Sequence, residues 1–408
     1  MKILVLNAGS SSQKACLYEL PGGILPEYPL EPLWEGFLDF THQANIAEAK
    51  VKTHTGVNQT LEIPITSRKA VTETLLQTLW QGEAQVIDQP TAIQAIGHRV
   101  VHGGEQYRDS ICITPEVKAE IDRLSCFAPV HNPANLEGIE ITEAVFGQAI
   151  PQVAVFDTAF HATLPAAAYT YPGQYDWLEQ GIRRYGFHGT SHRYCAERAA
   201  ALLNRDLTSL KLITCHLGNG ASLAAVQQGI SIETTMGFTP LEGLMMGSRS
   251  GSVDPGILLH LLRTNQHTPE SLDTLLNKAA GMKGISGITN DLREIIAAAE
   301  QGHDRAQLAL DMYIHRLRYY MGAMLAVLGG LDAIVFTAGV GENSALIRAA
   351  ACEAFGFLGL KIDPEKNTHH EVDQDISTPD SQIRVLVIRT QEDWAIAKEC
   401  WRLTHDRL

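Results

Sequence analysis

Three times in this chain an apolar run that reads as a buried strand stops at a glycine-rich polar turn: "LVLNAGSSS" (4–12), "LITCHLGNGAS" (212–222) and "AIVFTAGVGENS" (333–344). A strand that is apolar on both faces belongs in the interior of a sheet. Glycine at its exit lets the backbone approach a ligand closely. After the first two turns the pattern returns to strand, in "QKACLYEL" and "LAAV", so each predicts a hairpin. After the third, "ALIRAAACEAFGFLG" predicts a helix, which leaves "GVGENS" (339–344) as a loop. The first two hairpins lie about half a chain apart, the spacing of a duplicated domain. With 408 residues the chain exceeds one ordinary core, so two α/β domains are expected.

The remaining pattern alternates in the same manner. "SRKAVTETLLQTLWQG" (67–82) predicts a helix with Ser67 as N-cap, and 304–330 predicts a long helix. "AIQAIGHRVVHGG" (92–104) and "PQVAVFDTAFH" (151–161) predict strands that run into loops. "IRVLVIRTQEDWAIAKECWRL" (383–403) predicts a strand, a short loop and a terminal helix, preceded by a polar surface connection at 369–382. The apolar segment 321–341 has the length of a membrane span. Gly329, Gly330 and Asp332 interrupt it, so it predicts a helix end, a turn and a buried strand instead.

Lys+Arg of 32 against Asp+Glu of 46 leave a net charge of −14, which excludes a basic nucleic-acid-binding face. Any anionic ligand must be held by local cations and backbone amides. Seven scattered cysteines without a C-x-x-C pair predict neither a disulfide framework nor a zinc ribbon, and fit a reducing cytoplasm. Lys2 leads straight into a strand pattern, so no secretory leader is expected.

The first turn offers backbone amides, the hydroxyls of Ser10 and Ser12, and the charge of Lys14, an inventory suited to phosphate. Asn7 at the strand end can offer an oxygen to a hard cation. The segment His216, Leu217, Gly218, Asn219, Gly220 repeats the theme, as do Gly339, Val340, Gly341, Glu342 and Asn343. Neither a G-x-x-x-x-G-K-[ST] loop nor a G-x-G-x-x-G at a helix start occurs. Arg99 lies between His98 and His102 in "GHRVVHGG", and Arg249 between glycines and serines in "GLMMGSRSGSVDPG"; a guanidinium fork flanked by small residues reaches a ligand more readily than it packs. Asp157 lies just past a strand, His188 precedes a glycine, and Glu392 marks a strand-to-helix junction. His188 and His192 have the i, i+4 spacing of metal ligands. Gly189, Thr190 and Ser191 between them predict a break in helical register, so no metal pair is expected.

Nine stretches together, "LVLNAGSSSQK", "GHRVVHGG", "FAPVHNPAN", "FDTAFH", "RRYGFHGTSH", "CHLGNGAS", "TTMGFTPLEGLMMGSRSG", "FTAGVGENS" and the Glu392 segment, resemble the acetokinase family in its own order from end to end. That family belongs to the superfamily of acetate and sugar kinases, heat-shock chaperones and actin. The resemblance implies two ribonuclease-H-like domains, the duplicated actin-like ATPase fold, with an interdomain active-site cleft. It places the first domain at 1–157 plus 393–408 and the second, nucleotide-binding and dimerising, at 158–392. It implies reversible phosphoryl transfer between ATP and acetate with Mg2+ (Mn2+ as an alternative), in a cytoplasmic homodimer whose product leads toward acetyl-CoA.

Position by position, the resemblance implies Asn7 and Glu392 at the metal, and Ser10, Ser12 and Lys14 in the first phosphate hairpin. It implies Arg99 and Arg249 beside the transferred group, Asp157 next to them, and His188 on the phosphoryl oxygens. His131 and His216 are further site residues. Asp291, Leu292 and Arg293, with 216–220 and 339–343, match the nucleotide segments. Val101, Val130, Phe187 and Pro240 match the walls of a small acyl pocket. The chain departs from the family's usual residues at Ser248 (usually Thr), Ser252 (acidic), Val130 (Leu), Arg389 (Pro) and Gln391 (Asn). The alternatives are a kinase for propionate or another short-chain carboxylate and, in a different class, a non-catalytic nucleotide switch like the actin and chaperone branches.

Overall fold

The computed structural model describes residues 1–9 and 11–405. The chain divides into two compact units: Met1–Ala159 together with the segment from Gln391 onward, and Phe160–Thr390. The division falls two residues from the expected boundaries, and it assigns Glu392 to the first unit rather than the second.

The sheet of the first unit comprises β1 (Lys2–Ala8), β2 (Ser12–Glu19), β3 (Trp34–Gln43), β4 (Ile46–Thr53), β5 (Asn58–Pro64), β6 (Ala95–Val100), β7 (Ile111–Cys112) and β8 (Gln152–Phe156). They lie in the order β5-β4-β3-β2-β1-β6-β8-β7. β1 turns back into β2 as an antiparallel hairpin and runs parallel to β6, which runs parallel to β8. Ile3, Leu4, Val5 and Leu6 are all fully buried because both faces of the sheet are covered. Leu4, Leu6 and Ala8 face a core shared with the helices Arg68–Gln77 and Asn132–Phe146. The helix Glu392–Thr404 lies against β1, β6 and β8, so close that a Cβ at Gly97 of β6 would sit 2.7 Å from Ile396. Ser67 caps its helix by accepting from the Ala70 amide at 3.1 Å, as expected, and the helix ends at Gln77, short of the predicted limit.

The sheet of the second unit comprises β9 (Lys211–Leu217), β10 (Ala221–Gln227), β11 (Ile230–Thr234), β12 (Ala333–Thr337), β13 (Gln374–Asp375) and β14 (Arg384–Val387), in the order β11-β10-β9-β12-β14-β13. Its pattern repeats that of the first unit. A hairpin β9–β10 precedes parallel pairing of β9 with β12 and of β12 with β14, and a two-residue antiparallel strand closes the edge. Aligned on their hairpins, β3-β2-β1-β6-β8-β7 and β11-β10-β9-β12-β14-β13 are the same arrangement. The helix Asp304–Leu328 covers β9, β10 and β11, then ends at Gly329 in the left-handed region (φ 58°) before β12, as the sequence predicts for 321–341. No helix among the described residues is long and apolar enough to cross a membrane.

Two expectations fail. Residues 338–343, expected as a loop, form the helix Ala338–Asn343. Glu342 Oε1 accepts from the Ala338 amide at 2.9 Å at its start. The buried Arg348 guanidinium donates to the carbonyls of Gly341 (2.9 Å) and Glu342 (2.7 Å) at its end. The start is thereby satisfied by a side chain of the helix itself, and the end by Arg348, which lies outside the glycine pattern. The connection 369–382, expected as polar surface, contains β13, and Ile376 and Ser377 are fully buried.

Buried rings set the acid limit of the fold. Burial lowers the pKa of His98 to about 4 against the opposing hydrogen bond that its ring donates to Gln152, and burial likewise lowers that of His161 to about 4. Folded-state pKa values below the ordinary 6.5 mean that the unfolded chain takes up protons first as pH falls. The stability present above pH of about 6.5 is therefore lost toward pH of about 4, by at most about 1.4 kcal/mol per pH unit for each ring. The urea midpoint is expected to fall over this range, and to fall less steeply in His98→Gln. Parallel pH dependences for the two proteins would show that His98 titrates alike in the folded and the unfolded chain, and would contradict this role.

Candidate active site

The first unit gathers its charged groups where three parallel strands end. Asn7 lies at the end of β1, Arg99 near the end of β6, and Asp157 directly after β8. The register pairs Leu6 with His98, and Val100 with Phe156, which brings the three to the same edge. The carboxyl ends of parallel strands are where open α/β sheets bind ligands. Arg99 Nε donates to Asp157 Oδ1 at 3.0 Å and Oδ2 at 3.1 Å, and Nη2 also donates to Oδ2. Arg99 Nη1 donates to Asn7 Oδ1 at 3.3 Å. Burial opposes the Arg99 charge, but Asp157 and Glu392 outweigh it and raise its pKa. Asp157 is buried.

Glu392 opens the terminal helix. Burial above all lifts its carboxyl to about 7, with Asp157 and Asp393 adding to the rise and Arg99 and Lys14 opposing it. Lys14 reaches Asp393 at 2.7 Å and Glu35 at 3.5 Å, so its charge is already engaged within the unit. Ser12 begins β2, and its carbonyl accepts from the Gly9 amide at 2.9 Å to close the turn; Ser10 lies outside the described residues. Val101 is buried, whereas Val130 is 50% exposed. His131 precedes the helix Asn132–Phe146.

Sequence reasoning missed two groups that fix the exit of β6. Asn135 accepts from the Val101 amide at 3.0 Å and donates to the Ala8 carbonyl at 2.7 Å. Asn132 accepts from the His102 amide at 3.1 Å and donates to the His102 carbonyl at 3.1 Å. Their i, i+3 spacing within "NPAN" was the available signal, since it puts both on one helix face.

In the second unit, His188 is the N-cap residue of the helix Gly189–Leu202, in the left-handed region (φ 57°). The helical register therefore breaks at His188 itself, while residues 189–191, where the break was expected, are helical. Its ring stacks on that of His216, at the end of β9, with centroids 4.1 Å apart. His216 Nδ1 meets Ser191 Oγ at 2.8 Å. Among the described residues no group of three or more His, Cys, Asp or Glu is placed to hold a metal.

Arg249 comes from an irregular loop, with Nη1 donating to the Pro240 carbonyl at 3.2 Å. A Cβ built on Gly220 would lie 3.3 Å from Arg249 Nη1 and 3.6 Å from His188 Nε2, so both side chains border the same opening above that glycine. Phe187 is buried beside His188, and its carbonyl meets the His161 ring at 3.0 Å. The segment 233–242 that carries Pro240 is held by Arg184. Nη1 of that residue reaches the carbonyls of Thr234, Thr235 and Met236, and Nη2 reaches Glu242 at 2.8 Å.

A cavity of roughly 750 Å3 opens in this unit. Gly218, Asn219, Asp291, Leu292, Arg293, Gly339, Val340 and Asn343, all singled out from sequence, line it. So do Met282, Ile296 and Tyr313, whose apolar surfaces suit the flat face of a base. Asp291 also caps the helix Leu292–Glu300, accepting from the Arg293 amide at 2.9 Å, and pairs with the Arg293 guanidinium. Leu217 is buried in β9, and Gly341 is buried in its helix. Glu342 Oε1 accepts from the amides of Ala338 and Thr390 (3.1 Å), so the structure uses its carboxylate to tie segments together.

The chain matches the Acetokinase family over residues 2–398. It is 64% identical over 403 residues to an acetate kinase of Gloeobacter violaceus, covering 98% of this chain and 99% of that protein. Among solved structures it superposes on the acetate kinase of Porphyromonas gingivalis with a TM-score of 0.90 at 40% identity, covering 98% and 99% of the two chains. It superposes on a propionate kinase of Francisella tularensis with a TM-score of 0.89 at 37% identity, again covering 98% and 99%. The α/β fold with two sheets is thus the duplicated, actin-like one expected from the sequence.

Gly281 supports the Arg249 loop. Its φ is 60°, and a Cβ there would lie 2.2 Å from the Met246 carbonyl and 2.5 Å from that of Arg249. Gly281→Ala is expected to destabilise the protein by about 1–3 kcal/mol through strain and collision, read as a lowered unfolding temperature. Gly339→Ala, where a Cβ meets nothing within 4 Å, serves as the control. Equal unfolding temperatures for the two variants would contradict this role of Gly281.

Proposed function

Because the chain belongs to the acetokinase family, we propose that it transfers the γ-phosphoryl group of ATP reversibly and directly to acetate, giving acetyl phosphate and ADP. The observation that carries this reading is the end-to-end match to that family, supported by Arg99 at a strand end of the first unit and, within the second, by Arg249 and His188 beside Gly220. Acetate is already ionised at neutral pH, because carboxyl groups titrate at about pH 4–5. Its oxygen needs no base to attack. The obstacle is repulsion between carboxylate and phosphate, about 4 kcal/mol at contact in a medium of intermediate dielectric. Arg99 and Arg249 offset that repulsion, and His188 donates to the phosphoryl oxygens as they gain charge. Asp157 directs three hydrogen bonds from Arg99 onto its two oxygens, which suits an orienting carboxylate rather than a proton acceptor. The residues that the resemblance assigns to the acyl pocket are Val101 and Val130 in the first unit and Phe187 and Pro240 in the second.

The nucleotide occupies the 750 Å3 cavity, its base near Met282 and Ile296, and its phosphates reach Gly218. Ser10, Ser12 and Lys14 belong to the phosphate hairpin of this proposal, with Leu217, Gly341 and Glu342 as backbone supports. A magnesium ion fits the donor set, since Asn7 and Glu392 supply only hard oxygens. With so few protein ligands, the ion is one that phosphates and water complete. When bound, it draws charge from the transferring phosphoryl group. Mn2+ accepts the same donors.

We further assign a homodimer. The helix Pro255–Arg263 (PGILLHLLR) contains no buried residue, and Ile257 and Leu259 are 50% and 51% exposed. So apolar a helix is costly to leave against water. All seven cysteines are free thiols, which supports a cytoplasmic setting. Acetyl phosphate is an activated acyl donor, so the reaction stands upstream of thioester formation such as that of acetyl-CoA. A preference for propionate is the second reading, favoured by Val130, whose half-exposed side chain is smaller than the family's usual leucine.

Hydroxylamine trapping of acyl phosphate from ATP with acetate, propionate and butyrate tests the function. Acetate is expected to be used best, with propionate behind by the ~1–3 kcal/mol that one methylene is worth. No hydroxamate from any acid would refute the proposal. In the same assay Arg249→Ala is expected to lower turnover by about 10³-fold, and a loss below tenfold would remove Arg249 from the mechanism. Leu259→Glu is expected to yield a monomer in sedimentation. A dimer that persists would place the contact elsewhere.

A further inference from the structure

A chain of hydrogen bonds runs from His188 into the interior of the second unit, with three links of 2.7–2.9 Å and a longer last one. His188 Nδ1 meets Ser222 Oγ at 2.9 Å, and Ser222 Oγ meets His192 Nε2 at 2.7 Å. His192 Nδ1 meets Thr214 Oγ1 at 2.8 Å, and Thr214 Oγ1 donates to the Ala224 carbonyl at 3.5 Å. Ser222, His192 and Thr214 are each fully buried. Burial holds the pKa of His192 well below its ordinary value, with His161 and His216 adding to the effect, so its ring carries a single proton.

The order of protons follows from the far end. A carbonyl oxygen only accepts, so the Thr214 hydroxyl proton goes to Ala224 and its oxygen receives Nδ1–H of His192. His192 Nε2 is then an acceptor and takes the one proton of Ser222. The Ser222 oxygen is left to receive a proton, and His188 Nδ1–H supplies it. We infer that Ser222 and His192 are positioning residues that fix the His188 proton on Nδ1, so that His188 donates from Nε2 only as the charged imidazolium. This rests on the reading that His188 meets the phosphoryl oxygens. A neutral His188 would turn a lone pair toward them, whereas the charged ring adds a second cation beside Arg249 at the opening above Gly220.

The left-handed backbone of His188 has a reason in this scheme. It begins the helix Gly189–Leu202, so His192 lies one turn further along that same helix, and both rings converge on one hydroxyl of β10. The i, i+4 pair that resembles a metal site is instead two ends of a proton-ordering chain.

Neutron diffraction from deuterated crystals of the full chain tests the inference without reference to turnover. Deuterons are expected on Nδ1 of both His188 and His192. A deuteron on His192 Nε2 would reverse the chain and overturn the proposal. Kinetics give a second reading. Ser222→Ala frees the ring of His188, and kcat is expected to fall by about 10–100-fold, the usual cost of losing an orienting partner, with the KM for ATP unchanged. An unchanged kcat, or a loss confined to KM, would contradict the role of Ser222. If Ser222→Ala does not fold, the deuteron positions in the native chain decide. If the native chain makes no acyl phosphate, the function fails while the proton order is still read directly.

Discussion

The ion pair between Arg99 and Asp157 is the constraint on which the first unit turns. An arginine at the end of a central strand, enclosed on most sides, is tolerable only with its charge answered. Asp157 answers it from the next strand, and the remaining donor goes to Asn7 on the strand before. Three neighbouring strands are thus tied by one guanidinium. Glu392 feels the same arginine from the terminal helix, and burial still brings it near pH 7. A carboxylate so placed is ready for a cation. That agrees with a reaction whose central difficulty is bringing two anions together.

The second unit uses the same strand arrangement for a different purpose. The strand end that carries Asn7 in the first unit carries His216 in the second, where the glycine turn 218–220 opens onto a cavity rather than onto an ion pair. The duplicated fold supplies two sets of strand ends, and the residues on them divide the chemistry. Carboxylate and guanidinium gather on one, glycine, imidazole and an apolar cavity wall on the other. Between β12 and the cavity, Glu342 and Arg348 hold the ends of a helix whose glycines would otherwise make it loose. Structure and chemistry are shared there by neighbouring residues.

Features that depend on a few adjacent residues were legible in the sequence. The two hairpins were visible because an apolar run meets glycine and then resumes. The Ser67 cap was visible because a serine precedes an amphipathic run. Arg249 stood out because glycines and serines leave a charged side chain little to pack on, Arg99 because it lies between two histidines at a strand end, and His188 because it precedes a glycine. What escaped depends on residues distant in the chain. The helix Ala338–Asn343 reads as a loop until Arg348, beyond it in the chain, is seen to satisfy the carbonyls at its end. Lys14 reads as a phosphate ligand until Asp393 is found 2.7 Å away. Asn132 and Asn135 pass unremarked in "FAPVHNPAN" until their amides are seen to bind the exit of β6. The pairing of His188 with His192 through Ser222 required the fold of β10 against the helix.

The central claim is that Asp157 orients Arg99 and removes no proton. The measurement that tests it most directly is the pH dependence of kcat/KM for acetate phosphorylation in the native chain and in Asp157→Asn, from about pH 5 to about pH 9. The account predicts a lower rate in the variant at every pH with the profile's shape preserved. An acidic limb present in the native chain and absent from the variant would show Asp157 acting as the base, and would contradict the account.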